Sequence, residues 1–419
     1  MSSFEHRNGS FHAEDVSVTA IADRIDTPFY LYSHEALTAN FRAFDGAFGG
    51  MPHLTCFAVK ANSNLAVLSL FAKEGGGADI VSGGELFRAL KAGVPADRIV
   101  FAGVGKKRSE IRAALEAGIR MFNVESREEL VAINEVAGKM GAKAPIALRV
   151  NPDIDPKTHP YISTGLRKYK FGIAIEEALE HYREARTLGN LSLVGIHHHI
   201  GSQLTEVQPF ADALARIVDL VRSLRAEGID IRQIDIGGGL GIVYKDETPP
   251  HPDELADAVL PLLDGLDCTL VLEPGRALVG NAGILVTRVL YVKRSGGKTF
   301  VIVDAAMNDL TRPSLYGAYH AIVPVRERGG RPVKADIVGP ICESGDFLAK
   351  DREIPPVSSG DLLAVMSAGA YGFTMSSNYN SRPRVPEVMV RRDRFFVVRE
   401  RETLDDLVRG EQVPELLLA

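Results

Sequence analysis

Lys60 is the first residue whose type and position suggest chemistry. It lies in the motif FAVKAN at positions 57–62, within an apolar run that begins at Leu54. Lysine is costly to bury, so a side chain that reaches solvent from the end of a strand is the simpler interpretation of this stretch alone. The alternative is a reactive amine, and residues elsewhere in the chain must decide between the two.

Gly237–Gly239 form a second unusual segment, in the motif DIGGGLGI. The spacing does not match the GxGxxG fingerprint of dinucleotide-binding folds, and a tight turn is one interpretation. Consecutive glycines also expose backbone N–H groups that can bind phosphate. The motif EPGR adds Gly275 and the guanidinium of Arg276. We therefore predict a phosphorylated ligand here, whereas the segment GVGKKRS at 103–109 lacks the spacing of a phosphate loop.

Three consecutive histidines open the motif HHHIGSQ, which also contains Ser202. On a strand, the side chains of His197 and His199 point to one face and that of His198 points to the other. Two histidines without a nearby HxxxH pattern or cysteine partner are too few for a zinc site, so no metal is predicted. His199 lies nearest the strand end, where its flat imidazole could stack on a planar ring.

Glu273 follows the apolar run that ends at Leu272, and a carboxylate in such a place needs a cationic partner. Arg276 or Arg149 could supply it, and so could a protonated ring nitrogen. A lysine, a phosphate seat, a stacking histidine and a carboxylate together describe pyridoxal 5′-phosphate. We therefore predict this cofactor, with Lys60 as the amine that forms the Schiff base.

The elements that must position these residues alternate regularly between short apolar runs and segments of helical periodicity. Eight such runs predict a (β/α)₈ barrel over residues 26–280, in which chemistry sits at the carboxyl ends of the strands. Asp79 and Ser82 also fall at such an end, without an assigned role. The eight predicted strands are Thr55–Val59, Asp79–Val81, Ile99–Ala102, Met121–Val124, Ile146–Val150, Leu193–His199, Gln233–Ile236 and Thr269–Leu272.

After about residue 280 the sequence is rich in short β-like runs separated by Gly, Pro and charged turns. We predict a C-terminal all-β, sandwich-like domain over residues 281–419, joined by residues 1–25. The fold class is thus α/β, with a barrel followed by a β domain.

Composition excludes several classes of protein. The chain has 419 residues, 45% hydrophobic and 24% charged, with a net charge of −6, so a soluble globular protein of two domains is expected. No basic block indicates nucleic acid, and no apolar run is long enough to span a bilayer. The three cysteines lie far apart, and no apolar segment of a signal peptide is present near the N-terminus. A reducing cytoplasm fits best.

The sequence resembles the fold-type III pyridoxal-phosphate decarboxylases, and within them those that act on meso-2,6-diaminoheptanedioate. Their motifs occur in the family's order along nearly the whole chain. The matching segments are FAVKAN at 57–62, HPYISTGLRKYKFGI at 159–173, HHHIGSQ at 197–203, DIGGGLGI at 235–242, EPGR at 273–276, GPICESGD at 339–346 and AGAYG at 368–372.

The resemblance implies a homodimer that releases CO₂ from the D-configured centre of that substrate and leaves L-lysine, in the last step of lysine biosynthesis. It implies that Cys342 and Glu343 come from the partner subunit, Cys342 as proton donor and Glu343 as contact of the distal amino group. The remaining roles are carried over by motif. Lys60, His199, Ser202, Gly239, Glu273, Gly275, Arg276 and Tyr371 would bind cofactor, and Arg276, Arg312, Tyr316 and Tyr371 would bind substrate.

Two other functions remain open at this level. One is a different reaction on the same scaffold, such as decarboxylation of ornithine, arginine or carboxynorspermidine, or racemisation. The other is a binding or regulatory protein that kept the fold without catalysis. The motif HPYISTGL and the triplet CES favour decarboxylation of meso-2,6-diaminoheptanedioate over these other reactions. The presence of Lys60, Glu273 and Cys342 argues against a non-catalytic protein.

Overall fold

The computed structural model describes residues 3–154 and 170–417. The chain forms two compact units, one of Leu37–Val279 and one that combines Met1–Ala36 with Gly280–Ala419. Most of the motif at 159–173 lies outside the described residues. Within the described ranges, no helix is both long enough and apolar enough to cross a membrane.

The first unit is a closed barrel of eight parallel strands, which confirms the predicted (β/α)₈ fold. Each strand pairs in parallel with the next along the chain, and the eighth closes the barrel on the first, where Leu270 lies opposite His53. The strands are His53–Ala58, Gly77–Ile80, Ile99–Phe101, Met121–Val124, Ala144–Asn151, Leu191–His197, Gln233–Asp235 and Thr269–Leu272. A short strand, Ile173–Ala174, pairs in parallel with the end of the fifth, where Ile173 lies opposite Val150.

Helices connect the barrel strands because the intervening segments carry apolar residues at helical spacing and polar residues that cap the first turn. In Arg127–Met140, for example, the Ser126 side chain accepts a hydrogen bond from the Glu129 N–H, and Gly141 ends the helix with a φ of 63°. The other helices of this part of the chain are His34–Ala47, Leu65–Lys73, Gly83–Lys91, Arg108–Ala117, Ile175–Thr187, Gln208–Ala226, Pro252–Val259 and Arg276–Val279, with 3₁₀ turns at Val59–Ala61, Ala96–Arg98 and Leu260–Leu263.

The second unit is β-rich, as predicted. Its larger sheet runs, in spatial order, Phe347–Ile354, Val333–Val338, Lys298–Val303, Gly283–Ser295, Phe29–Ser33, Glu387–Arg391 and Arg394–Arg399, with Leu362–Val365 bridging Gly283–Ser295 and Ile322–Pro324. A smaller sheet joins Phe4–Arg7, Ser10–Ala13 and Val16–Ser17. Its helices are Val18–Ile25, Arg312–Tyr316 and Leu404–Leu407, with 3₁₀ turns at Phe373–Met375, Tyr379–Ser381 and Glu415–Leu417.

The strand Phe29–Ser33 belongs to this β-rich unit, although the sequence placed residues 26 onward in the barrel. It pairs antiparallel with Gly283–Ser295 and parallel with Glu387–Arg391. All five of its residues are buried, as expected for a strand in the interior of a sheet. The barrel unit therefore begins at Leu37, because the partners of this strand lie some 250 and 350 positions later in the chain.

Candidate active site

Lys60 lies in the 3₁₀ turn Val59–Ala61, directly after the first barrel strand. Its Nζ donates to Oδ2 of Asp79 at 2.6 Å, and Asp79 is fully buried in the second strand. Burial, together with the charge of Glu273, raises the pKa of Asp79 to about 7, although Lys60 acts in the opposite direction. The lysine is thus held at the carboxyl end of the barrel by a buried carboxylate. This contact favours the reactive amine over a lysine side chain that only reaches solvent.

Ser82 has a different role from Asp79. Its hydroxyl accepts a hydrogen bond from the Glu85 N–H and caps the helix Gly83–Lys91. Neither residue had a role assigned from the sequence, and the structure shows that Asp79 is the partner of Lys60 and Ser82 is a helix cap.

Glu273 follows the eighth strand and is buried beside two other strand ends. Its Oε1 accepts a hydrogen bond from Nδ2 of Asn123 at 3.0 Å, and its Oε2 lies 3.4 Å from Nε2 of His197. Burial by itself would raise the pKa of Glu273, but His197 and then Lys60 outweigh it and lower the pKa below its usual value. Glu273 is therefore an ionised carboxylate in a buried setting, which suits a protonated ring nitrogen as its partner.

His199 lies just beyond the sixth strand, which ends at His197 rather than at the predicted His199. Its Nδ1 accepts a hydrogen bond from the N–H of Gly238 at 3.3 Å. Desolvation, followed by the charges of Arg149 and Lys60, lowers its pKa well below the usual value. A neutral, flat imidazole held by a backbone N–H is what stacking on an aromatic ring requires.

The glycines of the motif DIGGGLGI are required by close contacts. Gly237 and Gly239 have φ values of 65° and 127°, which favour glycine. A Cβ on Gly238 would lie 2.1 Å from the carbonyl oxygen of Glu273, and one on Gly239 would lie 2.5 Å from that of Gly201. The loop is therefore bare backbone at this edge of the barrel, consistent with the predicted phosphate seat.

Arg276 follows Gly275 and begins the helix Arg276–Val279. It is buried, and its Nη2 donates to the hydroxyl of Ser202 at 3.1 Å while Nη1 donates to the hydroxyl of Tyr244. The sequence predicted Ser202 and Arg276 but missed Tyr244, which no motif singles out. Two loops that follow different strands thus hold the guanidinium in one place.

The residues at this end of the barrel fit pyridoxal 5′-phosphate. Within the described ranges, several buried side-chain atoms have no hydrogen-bond partner, among them Asp79 Oδ1, Asn123 Oδ1 and Nδ1 of His197. Such atoms in a native fold usually indicate a polar ligand or water. Together with the amine of Lys60, the carboxylate of Glu273 and the glycine loop, they match the amine, ring and phosphate contacts of the cofactor.

A third carboxyl group, that of Asp235, lies beside Glu273 and His197. A ring nitrogen of His197 and one carboxylate oxygen each of Asp235 and Glu273 all lie within 4.8 Å of one another, a spacing at which a metal ion could be bound. The pattern of the histidines in the sequence does not reveal this group. The carboxylates already accept hydrogen bonds from Asn123, so we assign the group to a hydrogen-bonded network.

The other predicted residues lie in the β-rich unit. Arg312 is buried and its Nη1 lies 2.9 Å from Nε2 of His320. Tyr316 is half-buried in the helix Arg312–Tyr316. Tyr371 is half-buried and has a φ of 55°, a value uncommon for a residue other than glycine and often found at functional sites.

Cys342 and Glu343 lie on an exposed loop that is nevertheless well anchored. The Cys342 N–H donates to Oδ1 of Asn380 at 3.0 Å, and the carboxylate of Glu343 accepts from the hydroxyl of Tyr379 at 2.8 Å. Asp346 accepts from the N–H of Ile341 at 2.7 Å. The loop therefore presents a thiol and a carboxylate to the surroundings of this chain in a defined conformation.

Comparison with known proteins identifies relatives over nearly the full chain. Residues 34–280 match the family model described as pyridoxal-dependent decarboxylase, pyridoxal binding domain. Diaminopimelate decarboxylase of Pseudomonas aeruginosa is 54% identical over 413 residues, covering 99% of each chain. The crystal structure of diaminopimelate decarboxylase from Helicobacter pylori complexed with L-lysine has a TM-score of 0.91 at 47% identity, covering 94% of this chain and 98% of that one. The corresponding L-lysine complex from M. jannaschii has a TM-score of 0.94 at 41% identity, covering 99% and 98%.

Proposed function

This chain belongs to the pyridoxal-dependent decarboxylases, and from that premise we propose that it converts meso-2,6-diaminoheptanedioate into L-lysine and CO₂ with pyridoxal 5′-phosphate as cofactor. The observation that carries the proposal is the ion pair of Lys60 with buried Asp79 at the same barrel end as ionised Glu273. Relatives at about half identity over the whole chain support this substrate above ornithine, arginine or carboxynorspermidine. The reaction is the last step of lysine biosynthesis.

The barrel residues would hold the cofactor in three places. The amine of Lys60 would attach it, Glu273 would keep a proton on its ring nitrogen, and His199 would stack on its ring. Gly239, Gly275, Arg276 and Ser202 would bind its phosphate, and Tyr371 would contact both cofactor and substrate. When bound, the cofactor supplies an electron sink for the electron pair left at the α-carbon as CO₂ departs.

Asp79 gives Lys60 a means of handling protons. A carboxyl group with a pKa of about 7, at 2.6 Å from Nζ, can take up a proton or release one near neutral pH. The amine needs to be uncharged to act as a nucleophile. We infer that Asp79 accepts the proton that the amine must lose, and that burial tunes it for this task.

The substrate carries two carboxylates and two amino groups, so the site must distinguish between its ends. Arg276 and Arg312 have planar guanidinium groups, which can hold a carboxylate by two hydrogen bonds, and with Tyr316 they would bind the retained carboxylate. Glu343 would contact the distal ammonium group. The carboxylate that leaves must stay away from these cations, because it departs as neutral CO₂. Cys342 would then supply a proton to the α-carbon.

We further propose that the enzyme is a homodimer in which Cys342 and Glu343 of each chain complete the site of the partner. Their exposed loop, fixed by Asn380, Tyr379 and Asp346, supports this arrangement. The exposed thiol of Cys342 also favours work in the cytoplasm, a reducing compartment in which it would stay free.

A panel of amino acids tests the substrate. CO₂ release from meso-2,6-diaminoheptanedioate is expected to exceed that from ornithine, arginine or lysine by about 1,000-fold or more in kcat/KM, because a site built for a distal amino-acid head rejects substrates that leave its polar groups unpaired. The LL-isomer, which has no D-configured centre, is the matched control and is expected to be inert. Preference for any of the three simpler amino acids would refute the proposed substrate.

A further inference from the structure

Asn123 and Asp235 are neighbours of Glu273 in the barrel interior. Asn123 lies in no motif identified from the sequence. Asn123 is fully buried in the fourth barrel strand, and Asp235 ends the seventh and is also fully buried. A buried network of polar side chains makes its members rigid when their hydrogen bonds are satisfied. Their contacts therefore indicate what they hold in place.

The amide of Asn123 connects two carboxyl groups. Its Nδ2 donates to Oε1 of Glu273 and to Oδ2 of Asp235, each at 3.0 Å, so both amide protons are used. The side chain of Glu273 has several rotatable bonds and could not by itself keep one oxygen aimed at a ring nitrogen. Asn123 restricts that freedom at Oε1, and His197 lies 3.4 Å from the other oxygen, Oε2.

Asp235 extends this support to the glycine loop. Its Oδ1 accepts a hydrogen bond from the N–H of Gly237 at 2.9 Å, and the carbonyl oxygen of Gly237 accepts one from the N–H of Glu273 at 2.8 Å. The same set of hydrogen bonds thus joins Glu273 to the loop that would bind phosphate. A shift of either part would be transmitted to the other through Asn123 and Asp235.

The charges of the two carboxyl groups are compatible with this arrangement. Burial, followed by the charge of Glu273, raises the pKa of Asp235 well above its usual value. The raised pKa of Asp235 and the lowered pKa of Glu273 mean that a proton shared by the two groups favours Asp235. A shared proton lowers the repulsion between the two carboxyl groups.

We propose that Asn123 and Asp235 are positioning residues that fix the carboxylate of Glu273 against the ring nitrogen of the cofactor and link it to the Gly237–Gly239 loop. This inference rests on the proposed function, because it assigns Glu273 as the partner of the ring nitrogen. Because both residues act through Glu273 and the glycine loop, the expected effects are on turnover and on the state of the bound cofactor, with substrate binding little changed.

The test compares holoenzyme variants by kcat, KM and the absorbance spectrum of the bound cofactor. Asn123→Leu, which keeps the shape but loses the amide, is expected to lower kcat by about 10- to 100-fold with KM changed by less than about 3-fold, and to shift the cofactor band. Asp235→Asn replaces one of its two acceptor oxygens by an NH2 group and so loses the hydrogen bond from Asn123 or from Gly237. It is expected to lower kcat by about 10-fold, again with KM changed by less than about 3-fold. Asn123→Ser replaces Asn123→Leu as the variant if the latter fails to fold.

Two further variants separate a positioning role from a structural one. Thr55→Val removes the hydrogen bond that buried Thr55 donates to the partly exposed Asp45 in the same barrel unit, and it is expected to lower stability without altering kcat or the spectrum. Asn123→Leu combined with Glu273→Gln is expected to be no slower than Glu273→Gln alone, because Asn123 acts only through Glu273.

The outcomes are distinguishable. A fully active Glu273→Gln protein would overturn the proposed role of Glu273 itself. If Glu273→Gln is impaired but Asn123→Leu behaves like Thr55→Val, or if the losses in the double variant multiply, the positioning role is overturned and the proposed function stands.

Discussion

A Lys60→Ala protein is expected to lose decarboxylation by about 1,000-fold or more, because the substitution removes the amine that would hold the cofactor. CO₂ release with saturating cofactor and meso-2,6-diaminoheptanedioate measures the loss. The variant is expected to fold, because Asp79, whose pKa is about 7, can take up a proton instead of remaining as an unpaired buried charge. Thermal unfolding beside the parent checks this point.

The same experiment identifies the attachment site. Borohydride reduction of the parent holoenzyme is expected to remove its visible absorbance band and leave the cofactor on the peptide that contains Lys60. Lys73→Ala, which changes an exposed lysine at the end of the helix Leu65–Lys73, is the matched control and should label and turn over like the parent. A colourless parent protein, or label on another lysine, would reject the assignment of Lys60.

A mixture of two inactive variants is expected to regain activity if each site combines residues of both chains. Lys60→Ala disables the barrel side of the site, and Cys342→Ala removes the proposed proton donor, with an expected loss of about 100-fold or more. After subunit exchange, half of the dimers are hybrids, and each hybrid has one site with both Lys60 and Cys342. The mixture should therefore reach about a quarter of parental activity, because an isologous dimer distributes its subunits at random.

The matched control combines both substitutions in one chain. A mixture of the Lys60→Ala, Cys342→Ala double variant with Lys60→Ala contains no subunit that supplies Lys60, so no recovery is expected. Failure of the first mixture to recover, despite demonstrated exchange of subunits, would mean that Cys342 serves the site of its own chain. Full activity of Cys342→Ala alone would remove the thiol from the mechanism.

The sequence by itself determined the barrel and the candidates at its carboxyl end. Parallel strands covered on both faces read as short continuous apolar runs, and all eight were recognisable for that reason. Once the strands were assigned, Lys60, His199 and Glu273 had to lie at one end of the barrel, because every strand points the same way. The glycine loop was recognisable too, since three adjacent glycines are rarely kept without a close contact.

Only the tertiary structure decided which side chains support that site. Asn123 and Glu273 are 150 positions apart in the chain, and they meet because the barrel closes. Tyr244 reaches Arg276, and Phe29–Ser33 finds its partners in the β-rich unit, through contacts of the same kind. A hydrogen bond between distant residues depends on strand register and barrel closure, which leave no local pattern of residue types. The identity of a reactive residue could be inferred from its motif, but the network that orients it required the fold.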